Sequence, residues 1–368
     1  MADQSKQLQQ QIQQAFADKQ PLLIQAGNSK SFMGNPGQGN IIDLSSHSGI
    51  IDYQPTELML RAHSGTPLAE INTLLAEHQQ WTGFNSPLFT PQSTLGGSVS
   101  CNQSGPQAPF NGSIRDAILG VTILDGQGTR LEFGGQVMKN VAGYDVSRFM
   151  SGAFGTLGIL LDITIKLIPT PASSITIYRD ISANESLSLL TQWINQAYPI
   201  KAACHDGERL YVQLVSSAKG LDKFRAISDF QQLGSTTETT ETQFWDSLRD
   251  HTHSFFNTNK NLWRIAVPPI TNSDAIIPGE WLIDWAGAQR WLKSEASAND
   301  IRAWANSAGG YATLFRRGDH SKDNNDIVSE SIFEPLPPAL MSLHQKLKQR
   351  FDPAKILNRG RLYPELDT

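Results

Sequence analysis

The chain holds only two cysteines, Cys101 and Cys204, in 368 residues. Two thiols cannot by themselves hold an iron–sulfur cluster or close a four-ligand zinc site. They also make no disulfide framework, so the expected compartment is the reducing cytoplasm. No apolar run reaches the length a membrane span needs. No cluster of Lys and Arg stands out and the formal net charge is −5, which argues against a nucleic-acid footprint. Met1 to Gln20 is polar and Gln-rich with no apolar core, so no secretory signal is expected there. Two nucleotide-binding fingerprints are missing as well. Gly34-Asn35-Pro36-Gly37-Gln38-Gly39 has the wrong spacing for G-x-G-x-x-G and carries a proline. No Gly-Lys-Ser/Thr follows a glycine loop, which excludes a Walker A motif.

The bulk that remains is ordinary. Hydrophobic residues make up 39% and charged residues 18%, at a length that accommodates two domains with real cores. Leu8, Ile12 and Phe16 share one face of a predicted first helix. Leu22 to Ile24, Ile41 to Leu44 and Leu58 to Ala62 read as strands. Thr66-Pro67 predicts a helix start, with threonine as the cap and proline in the first turn. Ile118 to Leu124 and Thr129 to Phe133, joined by Asp125-Gly126-Gln127-Gly128, predict a β-hairpin. Ile159 to Ile168 predicts a strand that Pro169 and Pro171 end.

The second half changes character, because seven of the eight tryptophans lie between Trp193 and Trp304. Strand candidates at 175–178, 210–215, 262–267, 281–284 and 311–315 alternate there with helical stretches, the pattern of an α+β domain. Ser235 to Thr242 reads as an exposed loop, and Leu340, Leu343 and Leu347 as the stripe of a last helix stopped by Phe351-Asp352-Pro353. The expected division is 1–171, 172–335 and 336–368.

Three glycine punctuations carry the chemistry: Thr94-Leu95-Gly96-Gly97, Asn111-Gly112-Ser113 and Gly155-Thr156-Leu157-Gly158. Without a Cβ, such turns let backbone N–H groups close on an anion. Three on one domain point to a large, multiply charged cofactor. Taken alone, Gly96 to Gly105 reads first as a small-residue helix packed on a sheet, and Gly112-Ser113 with Arg115-Asp116 also fits a plain turn.

In order, Ala26-Gly27-Asn28-Ser29, Gly96-Gly97 with Asn102 and Gly105, Gly112-Ser113, Gly155 to Ile159 and Phe351-Asp352-Pro353 to Asn358 resemble the FAD-binding proteins of the vanillyl-alcohol oxidase (PCMH) type. Ile50 to Leu58 and Phe133 to Arg148 resemble one branch of it, the FAD-binding E component of bacterial glycolate oxidase (glycolate dehydrogenase). The resemblance implies an α+β fold: a two-part PCMH-type FAD-binding domain, an α+β cap, and a C-terminal segment returning to the FAD domain. It implies that Ala26, Gly27, Asn28, Ser29 and Lys30 form the first FAD loop, and that Thr94, Gly96, Gly97, Ser98 and Asn102 hold the pyrophosphate. Gly112, Ser113 and Asp116 would meet the adenosine-diphosphate side, Gly158 and Ile159 the ribityl chain and flavin, and Asn358 the isoalloxazine. Lys139, Tyr144, Asp145 and Arg148 would lie near the flavin or a subunit contact, or simply form a well-bonded helix start.

Departures from the family matter too. Gln25 to Lys30 lacks the histidine or cysteine that tethers FAD in some relatives, so the expected FAD is non-covalent. Relatives that oxidise 2-hydroxy acids carry a His-x-x-Gly-Asp-Gly-Asn-x-His segment, whereas Gly309 to Phe315 has no histidine. His251 and His253 read as solvated loop residues, and no metal site is expected. The resemblance therefore implies a FAD-binding subunit of a glycolate-oxidising complex. Its partners would be a paralogous FAD-binding catalytic subunit and an iron–sulfur subunit, in the cytoplasm or peripheral at the inner membrane through those partners. Two alternatives stand beside it. One is a self-sufficient hydroxy-acid dehydrogenase in which Arg316 and Arg317 grip a carboxylate. The other is a structural subunit without catalysis.

Overall fold

Branched apolar residues run almost unbroken through Ile159–Lys166, and such a run stays in register only where both faces of a strand are covered. In the computed structural model this segment is the central strand of a five-stranded sheet. The structure describes residues 2–135, 144–225, 227, 229–234, 239–273, 277–318 and 331–368. The described chain divides into two units. Unit one is Met1–Ser104, Gly112–Thr170 and Pro335–Thr368; unit two is Gly105–Asn111 and Pro171–Glu334. The excursion Gly105–Asn111 interrupts unit one, which the continuous 1–171 assignment did not anticipate.

In unit one, β1 (Leu22–Gln25) pairs in parallel with β2 (Asn40–Asp43). The five-stranded antiparallel sheet runs β3 (Ile50–Gln54), β4 (Met59–His63), β8 (Ile159–Lys166), β6 (Ile118–Leu124), β7 (Arg130–Gly134). A short ladder joins β5 (Gln80–Trp81) to β9 (Ile168–Pro169). The β6–β8 register passes from Thr122↔Asp162 to Ile123↔Leu160, so Leu161 is the extra residue of a bulge. The bulge lets residues of equal parity serve two cores. Ile159 and Leu161 pack under Leu8 and Ile12 of the first helix, Ser5–Asp18, while Ile163 and Ile165 pack with Ile71, Leu75 and Val99.

Two helix expectations need correction. The second helix starts at Leu68, with Pro67 in the cap position and no side-chain cap. Thr66 is not the cap, because its hydroxyl accepts from the Gly49 amide at 2.9 Å and donates to the Gly49 carbonyl. In the last helix, Pro338–Phe351, Leu340 and Leu343 are exposed and the buried side chain is Lys348.

Unit two is built on an eight-stranded antiparallel sheet with the order β13-β10-β12-β11-β15-β16-β14-β17. The strands are β10 (Ser173–Asp180), β11 (Ile200–His205), β12 (Arg209–Ser216), β13 (Gln231–Gln232), β14 (Leu262–Ala266), β15 (Glu280–Asp284), β16 (Gln289–Lys293) and β17 (Tyr311–Arg316). β16 escapes a hydropathy reading because Gln289, Arg290 and Lys293 are polar, yet all five of its residues are buried. Arg290 donates to the Thr271 and Asn272 carbonyls, and Lys293 pairs with Glu280 at 2.6 Å. Within the predicted loop 235–242, Thr240 caps a helix that begins at Glu241; 235–238 lies outside the described residues.

The histidines expected in solvent are packed instead. His251 stacks on Phe256 at 4.0 Å and 3° and meets Trp291 edge-on. Burial, with Arg316 and Arg264 nearby, pushes its imidazole down to about 3, so it is neutral. His253 Nδ1 accepts from the Phe255 amide. Arg316 donates to the Phe256 carbonyl at 2.5 Å.

Asp284 ends β15 in the interior. Burial pushes its carboxyl up to about 7, although the Trp285 amide, Gln289 and Arg264 favour the charged form. An unfolded carboxyl ionises near 3.9, so between about pH 4 and 7 the folded state keeps a proton that the unfolded chain has released. Stability must therefore fall as pH rises through that window, by roughly 4 kcal/mol. Tryptophan fluorescence during urea unfolding reports on this unit, which holds seven of the eight tryptophans. The wild-type midpoint is expected to drop from pH 4.5 to 7.5, and Asp284→Asn to flatten the drop. Parallel pH profiles for the two proteins would contradict this assignment.

Candidate cofactor site

The loop after β1 turns sharply because Asn28 adopts a left-handed conformation (φ 51°) and Gly27 lies flat on Gln92. A Cβ on Gly27 would sit 1.6 Å from the Gln92 carbonyl oxygen, so only glycine fits. Among the described residues, the Gly27, Asn28 and Ser29 amides meet no backbone carbonyl. Three successive idle N–H groups around a left-handed residue make a concave anion nest. Lys30, buried, adds a positive charge, its ammonium 3.4 Å from the Ser29 hydroxyl and 5.7 Å from the Phe89 ring centre.

This loop forms one wall of a cavity of about 290 Å³ whose lining lies wholly within unit one. The size is near the lower end of ligand pockets, about 300–1,000 Å³. A second wall is the short helix Leu95–Ser100, capped by the Thr94 hydroxyl. Its glycines act differently from the expectation of idle donors. The Gly96 amide already donates to the Ser64 carbonyl at 2.8 Å, and the Gly97 amide to Thr94 Oγ1 at 3.1 Å. A Cβ on Gly97 would meet only that Thr94 oxygen, so Gly97 leaves room toward the cavity.

Of the expected residues, Ala26, Gly27, Asn28, Ser29, Lys30, Thr94, Gly96, Gly97, Gly158 and Asn358 line the cavity together. Ser98 and Ile159 are fully buried behind it. Asn102 stands apart, accepting from the Ser151 hydroxyl at 3.0 Å through Oδ1. Gly112, Ser113 and Asp116 are not in the lining. Ser113 and Asp116 form a reciprocal capping box around Ile114–Ala117. Burial opposes ionisation of Asp116, but Ser113, with Arg148 and Arg115 nearby, holds its carboxyl below the ordinary range. Lys139 lies outside the described residues, as do the side chains of Tyr144 and Asp145.

Sequence reasoning missed Ser64, Cys101, Phe154 and Arg361, all in the lining. Phe154 adjoins the singled-out Gly155, and Arg361 comes three residues after Asn358, so proximity to the motifs was the available signal. Arg361 donates to the Asn35 carbonyl at 2.9 Å, and burial lowers its pKa. Cys101 is pushed up to about 11 by burial, against Lys30 and Arg361, so its thiol is protonated at neutral pH.

Asn358 closes the site. Its Oδ1 accepts from the Ile24 amide at 2.7 Å, and its Nδ2 donates to the Phe154 carbonyl at 2.6 Å. Lys348 supports the same junction, donating to the Thr156 and Leu357 carbonyls and to Asp352 at 2.8–2.9 Å. The fit to a dinucleotide rests on this chain's own atoms. Among the described residues the amide nest has no acceptor, and the hydroxyl of Ser64, a lining residue, has no partner. A bound diphosphate answers donors of this kind.

Residues 1–134 match the family described as FAD binding domain. Glycolate oxidase subunit GlcE of Escherichia coli (strain K12) is 42% identical over 367 residues, which covers 99% of each chain. D-lactate dehydrogenase of Anaerostipes hadrus is 31% identical over 146 residues, 38% of this chain and 29% of that protein. Glycolate oxidase subunit GlcD of Bacillus subtilis (strain 168) is 36% identical over 94 residues, 25% of this chain and 20% of that one. Among solved structures, alkyldihydroxyacetonephosphate synthase matches with a TM-score of 0.63 at 13% identity, over 96% of this chain and 75% of its own, a likeness of fold.

Lys348 sets a measurable constraint on the junction. Lys348→Ala leaves the buried Asp352 carboxylate without its ammonium and strands two carbonyls. The expected loss is about 3–5 kcal/mol in urea unfolding. A loss below about 1 kcal/mol would mean that the ammonium does not hold these segments together.

Proposed function

This chain belongs to the family of glycolate oxidase subunit GlcE, among the FAD-binding proteins of the vanillyl-alcohol oxidase type, and on that footing we propose how its residues serve the reaction. It is a FAD-dependent oxidoreductase, the FAD-binding subunit of a multi-subunit glycolate oxidase that converts glycolate to glyoxylate. The observation that carries this reading is identity sustained over 99% of both chains. The anion nest and glycine-lined cavity support it.

The flavin, when bound, would accept or relay reducing equivalents; the chain binds and orients it. The Gly27, Asn28 and Ser29 amides and the Lys30 ammonium would hold the diphosphate. Ser64 would add a hydroxyl, and Gly97 the space for close approach. Leu23, Ile24, Leu160 and Phe154 supply apolar wall that excludes water. Asn358 would act through position, keeping β1 and the Phe154–Gly158 loop at a fixed spacing.

GlcE and GlcD are named as subunits, so the protein works with other chains. In this proposal a paralogous FAD-binding subunit carries out hydroxy-acid oxidation, and an iron–sulfur chain takes the electrons onward. Two cysteines leave this chain unable to hold such a cluster. No helix among the described residues is long and apolar enough to cross a membrane. The proposal places the complex in the cytoplasm, with any membrane contact made by partners.

Two experiments test this reading. Acid precipitation of the yellow protein is expected to release all flavin into the supernatant, because Cys101 is a protonated thiol. Flavin fluorescence retained in the denatured pellet would contradict non-covalent binding. Lys30→Ala is expected to lower FAD affinity about tenfold or more, since charged hydrogen bonds contribute about 1.5–3 kcal/mol. Unchanged FAD content after dialysis would remove Lys30 from the site.

A further inference from the structure

Two imidazoles are buried together outside the lining of the cofactor cavity, beside the segment that leads into the first helix. His47 and His63 lie with ring centres 4.1 Å apart, both under 5% exposed. Each has one nitrogen fixed by an acceptor. His63 Nδ1 faces Asp162 Oδ1 at 2.7 Å, and Asp162 is in turn held by Arg61 at 2.9 Å. His47 Nε2 faces the Leu161 carbonyl, the bulge residue of β8, at 3.2 Å. An acceptor at one nitrogen puts the proton there and the lone pair on the other. The free nitrogen of His63, Nε2, is buried and has no partner among the described residues. The free nitrogen of His47, Nδ1, takes only the Gln4 amide at 3.1 Å.

Asp3 completes the set. One ligand atom from each of Asp3, His47 and His63 lies within 4.8 Å of the others. Asp3 is the exposed member, with His47 Nδ1 3.8 Å from its carboxylate. We propose that Asp3, His47 and His63 bind one divalent transition-metal ion of the zinc class, which pins the first helix to the sheet.

The donor set is two imidazoles and one carboxylate, which suits zinc, cobalt or nickel and not magnesium or calcium. Carboxylate and carbonyl partners behind the imidazoles are the usual outer shell of such sites. Zinc–ligand bonds of about 2.0–2.2 Å require the donors to close to about 3.4 Å. Asp3 sits at the surface just ahead of Ser5–Asp18, and the ion would take the place of the Gln4 amide on His47 Nδ1. A metal there was not expected from the sequence, where the two histidines are sixteen residues apart and Asp3 lies far upstream.

The test uses the untagged, flavin-loaded full chain, stripped with chelator and dialysed against zinc chloride, with metal read by mass spectrometry. The expected result is one zinc per chain, with a thermal midpoint that rises on zinc addition. Asp3→Asn, an exposed change, is expected to fold, keep its FAD, weaken zinc binding about tenfold or more and abolish the thermal rise. His47→Gln should remove binding altogether. No zinc uptake below about 1 mM by the wild type, or equal uptake by wild type and Asp3→Asn, overturns the proposal.

Discussion

The side chain of Asn358 is bonded to two backbone groups that lie 334 and 204 positions away in sequence. One is the amide of Ile24 in β1, the other the carbonyl of Phe154 before the Gly155–Gly158 turn. Both are cavity-lining segments, and neither has a regular ladder to the other. A buried amide side chain can satisfy one donor and one acceptor at once, which fixes both distance and direction. Its own backbone adds to the hold, since the Asn358 amide donates to Leu22 and the Leu22 amide to Ile356. Lys348 and Asp352 then anchor that segment from behind, in a nearly dry setting where each charge is answered. The cofactor wall is thus set by a handful of buried polar bonds at the chain's far end.

The cavity so formed is restrained in its electrostatics. Its donors are mainly neutral amides and hydroxyls, with Lys30 and Arg361 as the charged groups near them. Neutral dipoles held by a rigid turn bind a diphosphate without the desolvation cost of a cluster of lysines. The same burial that keeps water out keeps Cys101 protonated, so the wall is chemically quiet and the bound flavin carries the reactivity. Membership of the GlcE family gives this arrangement its setting, a FAD-binding site, and in the function proposed here the chain works as one subunit of a larger oxidase.

Buried charge recurs wherever this protein departs from a hydrophobic pattern. Asp162 sits beside the β8 bulge with Arg61 and His63, Asp284 ends β15 with a raised pKa, and Arg290 lies inside β16. Asp162 and Arg290 are tied by hydrogen bonds to groups on other elements, whereas Asp284 is held locally by the Trp285 amide and Gln289, and each fixes the chain at its own point. A hydropathy reading passes over such residues. This is why β16 went unseen, and why His251 and His253 read as solvated while they are packed among aromatic rings.

Local chemistry was enough for the first helix, the Ile118–Gly134 hairpin, the central strand and the loop at residues 26–30, because periodicity, turn residues and glycine act over a few neighbours. The amino-acid order also carried the family likeness, through long unbroken strings. It did not separate glycines that open space, such as Gly97, from residues such as Ser113 and Asp116 that cap their own short helix. Nor did it reveal that Leu340 and Leu343 would face solvent while Lys348 went inside. Those outcomes depend on what another stretch of chain presents at the same point in space: a carbonyl awaiting a donor, or an open cavity. Only the folded arrangement brings those partners together.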